Sequence, residues 1–498
     1  MTHSVESRHD LRRSVHEKSV KSLTLSQKSD TLSIAPLIPS GQGIVFEGWD
    51  MAAKTRDLTE GSIKGVLLSF AAPLFLSQLF QQLYNSADAL IVGNILGKEA
   101  LAAVSSSGPL IFLFIGFFNG AATGAGVVIS RYFGAQDRDK VRKAIHTNVL
   151  FSLLCGLFLS VTGVLLTPYI LRWMGTAESV LPQSEAYFRW YFAGAVAIVM
   201  YNALKGIMTA LGDSRRPLYY LIFSSVLNVI LDLLFVGVLR GGVAAAAIAT
   251  GLSQGISALL CLAHLLERDQ IYTLRAKEFR IDGPVLREIV KIGLPTGIQM
   301  SVISIANVMV QKNINSFGAD AMAACGSYAK VEGFVFLPIT CFSLALTTFI
   351  GQNLGAGRYD RVKAGSRFGL WASVLTAEAI GVVVFLLGPQ LVSLFNNDPA
   401  VLAIGQKQCR IESLFFCMLA LSHTVAGICR GAGRATVPML VMLGIWCVLR
   451  IAYITLAMSL CHDIRLLFWA YPLTWTISAA IFWLYYKRSP MLEPMKES

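Results

Sequence analysis

Apolar residues fall along this chain in runs of roughly twenty or more, separated by short polar stretches. A helix needs a run of that length to cross the hydrocarbon core of a bilayer. The pattern predicts twelve helical spans, near 66–92, 101–130, 144–168, 187–211, 218–239, 242–266, 288–317, 321–352, 366–395, 403–430, 436–460 and 464–486. The expected fold class is therefore an all-α integral membrane protein, with twelve transmembrane helices in two six-helix bundles around a central cavity.

The division into two bundles follows from a repeat. Pro73 recurs as Pro295 and Asn85 as Asn307, 222 positions apart. Gly97, Ala100, Gly134, Ala135, Asp139 and Val141 recur as Gly318, Ala321, Gly355, Ala356, Asp360 and Val362, 221 apart. Arg189 and Arg410, Gly206 and Gly427, Gly212 and Gly433, and Pro217 and Pro438 keep that register. Each copy holds an even number of spans, so both start from the same side and form a parallel repeat, related by an axis along the membrane normal. The expected organisation is a first lobe over 57–266, a linker over 267–287, a second lobe over 288–488 and a cytosolic tail over 489–498. Substrate sites of such duplicated transporters lie at the interface of the repeats.

Composition agrees with this class. Of 498 residues, 54% are hydrophobic and only 14% are charged, and the mean hydropathy is +0.59. The nine cysteines sit almost entirely in the spans without close-spaced pairs, which suits small apolar packing and neither a disulfide framework nor a zinc site. Residues 1–56 differ. Serines and scattered charges without an apolar core read as a disordered cytosolic extension, not a signal peptide. Translation starting at Met51 is a hypothesis for this region, to be tested by N-terminal sequencing; recovery of residues 1–50 rejects it.

Charge sets the orientation. Arg131, Arg138, Lys140, Arg142 and Lys143 follow the second span, six basic residues from Arg268 to Lys291 follow the sixth, and Arg358, Arg361, Lys363 and Arg367 follow the eighth. The odd loops are nearly free of basic residues, so the positive-inside bias places the even loops and both termini in the cytosol of a cell (inner or plasma) membrane protein. The net charge of +12 is accounted for by these loops. No basic face on a soluble domain remains for nucleic acid.

Function is sought where polar groups enter the spans. An aspartate at a helix centre costs about 2.5–3.5 kcal/mol on insertion scales, so it faces the protein interior or a water-filled cavity. Asp88 lies inside the first span, with Gln81 and Tyr84 on nearly the same face. Asn228 and Asp232 share a face of the fifth span, Thr250 adds a hydroxyl from the sixth, and Asn202 is a further polar group in the fourth. Helix-packing hydrogen bonds are the alternative role for each. The second half has Glu332, Glu378, Glu412 and His423. Lys330 and Arg410 lie two residues from Glu332 and Glu412, so ion pairs at an interface or between helices are an alternative reading there. Glu332, Glu412, His423 and Tyr84 are the candidates for a substrate cavity.

The chain also resembles a known family. Asp57-Leu-Thr-Glu-Gly61, Pro73, Gln81-Gln-Leu-Tyr-Asn85, Ala87-Asp88, Val92-Gly93 and Ala100-Leu-Ala-Ala-Val104 are similar to the first two helices of multidrug and toxic compound extrusion (MATE) transporters. Gly212-Asp-Ser-Arg215 with Pro217, Asn228 with Asp232, Ala246-Ala-Ile-Ala-Thr250 and Gly351-Gln-Asn-Leu-Gly-Ala-Gly357 fit the same family. The similarity covers residues 57–488 and implies the two-bundle fold and cation-coupled efflux. It is nearest the DinF-type branch of bacterial drug exporters, and implies a cation site at Asp88, Asp232, Asn228, Gln81 and Thr250, with Asn202 as a weaker member. Two positions depart from the pattern. Ala245 stands where the family often has glycine, and Ile303 stands where one branch has glutamate, which disfavours that branch's sodium site.

A pair of carboxyls in a low-dielectric site avoids holding two bare charges by sharing a proton or a metal cation. Asp88 and Asp232 thus suit either H+ or Na+ as coupling ion, with no cofactor and no structural metal. Gly93-Asn-Ile-Leu-Gly97-Lys98-Glu99 has one residue too few for a phosphate loop, and Glu99 replaces the required Ser or Thr. No enzyme motif is present. The expected function is antiport of amphipathic, often cationic compounds by a monomer in the lipid bilayer. Flipping of a lipid-linked oligosaccharide by the same architecture is the alternative, and a non-transporting receptor or scaffold is a third.

Overall fold

A computed structural model describes residues 57–493 apart from 174–175, 177, 179, 268–272 and 276–277. The expected extension over 1–56 lies outside the described residues. The first repeat folds as α1 (Ile63–Leu96), α2 (Lys98–Gly134), α3 (Arg138–Trp173), α4 in two pieces (Leu181–Ala193 and Ala195–Ala210), α5 (Arg215–Asp232, continued by a π-helical segment Leu233–Val238) and α6 (Gly242–Leu265). In the second repeat are α7 (Gly283–Asn315), α8 (Ala319–Gly355), α9 (Tyr359–Ser393) and α10 (Pro399–Glu412 and Phe416–Gly431, joined by a 3-10 turn). They are followed by α11 (Thr436–Met442, a π segment Leu443–Leu449, and Arg450–Leu460) and α12 (Ile464–Arg488). Ten are individually long and apolar enough to cross a membrane, and the two pieces of α4, bent by 46°, make an eleventh. The twelfth is α2, at 37 residues.

Each helix coincides with one of the expected spans, and several begin earlier. Polar first turns are not revealed by an apolar pattern, and three helix starts are capped by a side chain. Asp282 accepts from the backbone of Val285 at the start of α7, and Asp398 and Asp463 cap α10 and α12 in the same way, each satisfying donors that a helix start leaves open.

The cores do not separate at the middle of the chain. Leu58, Val66, Leu67, Phe70, Ala71 and Leu74, from the start of α1 and the strap before it, are buried among α8, α9, α10 and α12 residues such as Leu346, Phe349, Val425 and Phe482. Val285, Ile289 and Ile292 of α7 are reciprocally buried among α2 to α6. The far half of α1 returns to its own repeat, with Val92 packed beside Phe188, Phe192 and Val236. Pro73 and Pro295 lie inside these two helices, where each removes one backbone hydrogen bond and weakens the helix against bending.

Two contacts hold the repeats together. Along α2 and α7, Gly120 faces Gly297 and Gly124 faces Gly293 so closely that a Cβ on either α2 glycine would overlap the α7 backbone. Small residues four apart permit such approach. At the end carrying the basic loops, Gln352 accepts from Leu58 N at 3.0 Å and donates to Ala210 O at 2.8 Å. Arg361 donates to the carbonyls of Leu58, Glu60 and Gly61, so the strap is pinned to the α8–α9 turn. The Gly351-Gln-Asn-Leu-Gly-Ala-Gly357 motif is thereby explained. Gln352 and Asn353 bind the strap, and the glycines at 351 and 355 let α8 lie against Ser130 and Arg131 of α2.

Candidate functional site

The polar groups of the first repeat converge from α1, α5 and α6. Asn228 and Asp232 are fully buried and Thr250 is 5% exposed. The carboxyls of Asp88 and Asp232 lie within side-chain hydrogen-bonding reach of each other. Tyr84, one turn before Asp88, lies near Thr250 and Gln254, without a hydrogen bond to Thr250. Asp88 Oδ1, both oxygens of Asp232, both amide atoms of Asn228 and the Thr250 hydroxyl are buried without a hydrogen-bond partner. Buried polar atoms are nearly always paired, and two carboxyls in contact in an apolar medium repel unless something positive lies between them. The donor set is oxygen-rich and compact, and therefore fits a proton or a small hard cation.

Asp88, Tyr84, Asn228, Asp232 and Thr250 thus come together. Gln81 is half-buried two turns away on α1. Asn202 donates to Ile198 O of its own helix at 2.9 Å, which uses its amide locally. Gln254 is a member that pattern reading missed; it lies one turn beyond Thr250 on the same face of α6, and that spacing is the signal that could have found it.

The second repeat holds a cluster of different make. Glu412 is fully buried in α10, where its Oε1 accepts from Gln408 Nε2 at 2.9 Å while its Oε2 has no partner. Glu332 of α8 is close enough to interact electrostatically with it, and the Tyr328 hydroxyl faces Glu412. The basic group beside these acids is neither Lys330, whose ammonium lies over the Phe395 ring at 5.1 Å, nor the exposed Arg410. It is Arg450 of α11, 2% exposed, which donates twice to Thr474 Oγ1 of α12 at 3.2 and 2.9 Å. Its guanidinium lies over the rings of Trp446 at 5.2 Å and Tyr471 at 4.6 Å. Sequence neighbours two apart do not share a helical face, so Lys330 and Arg410 were not expected to reach these acids along their own helices; a lone arginine inside the apolar run 437–460 was the available signal for Arg450. Glu378 accepts from the backbone of Cys417, a helix-packing role.

His423 is packed among aromatic rings. Its ring meets Phe336 and Trp446 edge-on at 5.6 and 5.4 Å, and Nε2 has no partner. Two other basic groups reach the interior, Arg430 donating to Ser343 Oγ at 3.0 Å and Lys205 with its ammonium 5.9 Å from the Tyr201 ring.

Comparison with known proteins accords with this arrangement. The MatE family model matches the chain twice, over residues 73–234 and 295–456. The second match begins at Pro295 as the first begins at Pro73. The probable multidrug resistance protein YoeA of Bacillus subtilis is 28% identical over 445 residues, covering 87% of this chain and 95% of that protein. The probable multidrug resistance protein NorM of Thermotoga maritima is 26% identical over 389 residues, covering 77% and 83%. A MOP superfamily transporter from Pyrococcus furiosus has the same fold, with a TM-score of 0.83 at 22% identity over 89% of this chain and 99% of that one.

Proposed function

Because the chain belongs to the MatE family, and is thus a multi-pass membrane transporter and not an enzyme, we propose that it exports amphipathic, often cationic compounds in exchange for H+ or Na+. The observation that carries the coupling is the set of unpartnered buried oxygens at Asp88, Asn228, Asp232 and Thr250. It acts from the plasma membrane as a monomer, with the basic loops in the cytosol.

The cation reaches Asp88 and Asp232 from outside and removes the repulsion between them. Both carboxyls then draw α1 toward α5. The first half of α1 is packed in the other repeat, so a bend at Pro73 transmits that movement between lobes. Drug held in the cavity is displaced outward, and release of the cation inward resets the transporter. For an uncharged solute exchanged one for one, a charge moving down 100 mV supplies about 2.3 kcal/mol, roughly a fifty-fold gradient. For a monovalent cationic drug no net charge crosses, and the concentration gradient of the coupling ion drives export, about 1.4 kcal/mol for each tenfold.

The test is efflux of a fluorescent cationic dye from proteoliposomes under an imposed proton or sodium gradient, wild type beside Asp88→Asn. Dye movement that follows one gradient and disappears in the variant, with thermal unfolding unchanged, is the expected result. Gradient-driven movement retained by Asp88→Asn overturns the coupling role. No dye movement in wild type under either gradient shifts the assignment to lipid flipping.

A further inference from the structure

The two repeats differ most at one equivalent pair of positions. The two stretches matched by the family model, 73–234 and 295–456, are equal in length and end 222 positions apart, whereas Pro217 and Pro438 are 221 apart. An extra residue therefore enters α11 after Pro438, and the π segment Leu443–Leu449 absorbs it, since a π turn accommodates one residue more than an α turn. Beyond that segment, Asn228 corresponds to Arg450. Asp232 corresponds to Ile454 by the same register, and Asp88 to Val310, both buried and apolar.

Arg450 has what a coupling ion lacks. It cannot leave the site, and unlike a bound proton its charge is permanent, because a guanidinium is not deprotonated in a protein. It is immobile, held by two hydrogen bonds to Thr474 and by the Trp446 and Tyr471 faces, an arrangement that favours a desolvated cation. Among the described residues no carboxylate lies within 4 Å of the guanidinium. Glu332 of α8 and Glu412 of α10 act on it through space, beside the neutral Tyr471 and Cys447, and the Trp446 and Tyr471 rings that hold it pack in one cluster with Tyr328, one turn before Glu332. No basic residue stands in the corresponding place beside Asp88 and Asp232, where Asn228 is neutral.

We propose that Arg450 is a tethered counter-cation, which occupies in the second repeat the role that an exchangeable ion plays in the first. It offsets through space the charge of Glu332, and Glu412 keeps a proton between Gln408 and Tyr328. A second metal cation is excluded by the guanidinium charge. Arg450 is thus a specificity-determining residue that confines coupling to one lobe. The inference rests on the antiport reading for its meaning in transport, and its test is independent of that reading.

The experiment counts cations bound to purified full-length protein in detergent, as 22Na+ retained at pH 9 and protons taken up between pH 9 and pH 6. All variants carry Asp88→Asn, so the first-repeat site is silenced. With Arg450 present, no Na+ is expected. Adding Arg450→Gln should create one extra exchangeable cation per chain, and adding Glu412→Gln to that variant should remove it. Arg450→Lys should return the count to that of Arg450. If Arg450→Gln is not recovered folded, Arg450→His gives the readout by pH, with Na+ bound at pH 9 and excluded at pH 6. Glu412-dependent Na+ binding with Arg450 intact overturns the proposal, as does a folded Arg450→Gln or Arg450→His protein with no added cation. Equal counts in wild type and Asp88→Asn would instead count against the antiport reading alone.

Discussion

The two repeats carry the same helices in the same order and bury acids in different ways. In the first, Asp88 and Asp232 meet among neutral groups, and their oxygens are left without partners. In the second, Glu332 and Glu412 share their surroundings with Arg450, and Glu412 already has Gln408 as a donor. A duplicated backbone therefore does not imply a duplicated site. Isolated buried charge is so unfavourable that each acid must be paired or protonated; in the proposed mechanism the second lobe supplies a tethered guanidinium and the first takes an ion from solution.

The largest effect that separates these lobes is on coupling. Asp232→Asn should behave as Asp88→Asn does, with the roughly tenfold dye gradient that a tenfold H+ or Na+ gradient sustains at one-for-one exchange falling to none. Glu412→Gln should leave transport dependent on the cation gradient, because Arg450 still balances Glu332. Dye flux measured in proteoliposomes over a series of imposed gradients checks both. Equal loss of gradient dependence in the two variants would mean that the lobes contribute alike, and the contrast would be gone.

Much of this organisation was legible in the residues. Twelve apolar runs and the offset between Pro73 and Pro295 revealed the helices and their duplication, and Asp88 and Asp232 stood out because charge is so rare in such runs. The partner of Glu412 did not. Arg450 lies 38 positions further on, and only the packing of α10 against α11 and α12 brings it close. The exchange of the first halves of α1 and α7 was equally hidden, since an apolar face does not specify which bundle it will join. Gly120 and Gly124 stand four residues apart, a spacing common by chance in apolar helices, and its meaning depends on Gly293 and Gly297 opposite.

That glycine seam is a second difference between the repeats. By the repeat offset, Gly120 and Gly124 correspond to Cys341 and Ala345 of α8, which face α1 with side chains in place. The α2–α7 contact is therefore the closer one. Gly297→Ala should lower stability by about 1–3 kcal/mol through overpacking against Phe117, whereas Gly326→Ala, with nothing within 4 Å of a new Cβ, should stabilise α8 by about 0.5–1 kcal/mol. Thermal unfolding of the two single variants in the same detergent measures the difference. A neutral Gly297→Ala would show that the seam yields easily, and would remove the basis for treating α2 and α7 as one rigid pair.

The smallest effect belongs to the tail. Pro490–Leu492 folds back so that Met491 and Leu492 are buried against the second-repeat core, and Lys363 bonds Glu493 at 3.3 Å with both side chains about half exposed. An exposed ion pair contributes about 0–1 kcal/mol, while burying a leucine or methionine side chain contributes about 1.5–3 kcal/mol. If the tail is held by its apolar residues, Lys363→Met should leave the unfolding temperature nearly unchanged and Leu492→Ser should lower it. The opposite order would mean that the charge pair, and not the buried side chains, fastens the end of the chain to the lobe that also carries Arg450.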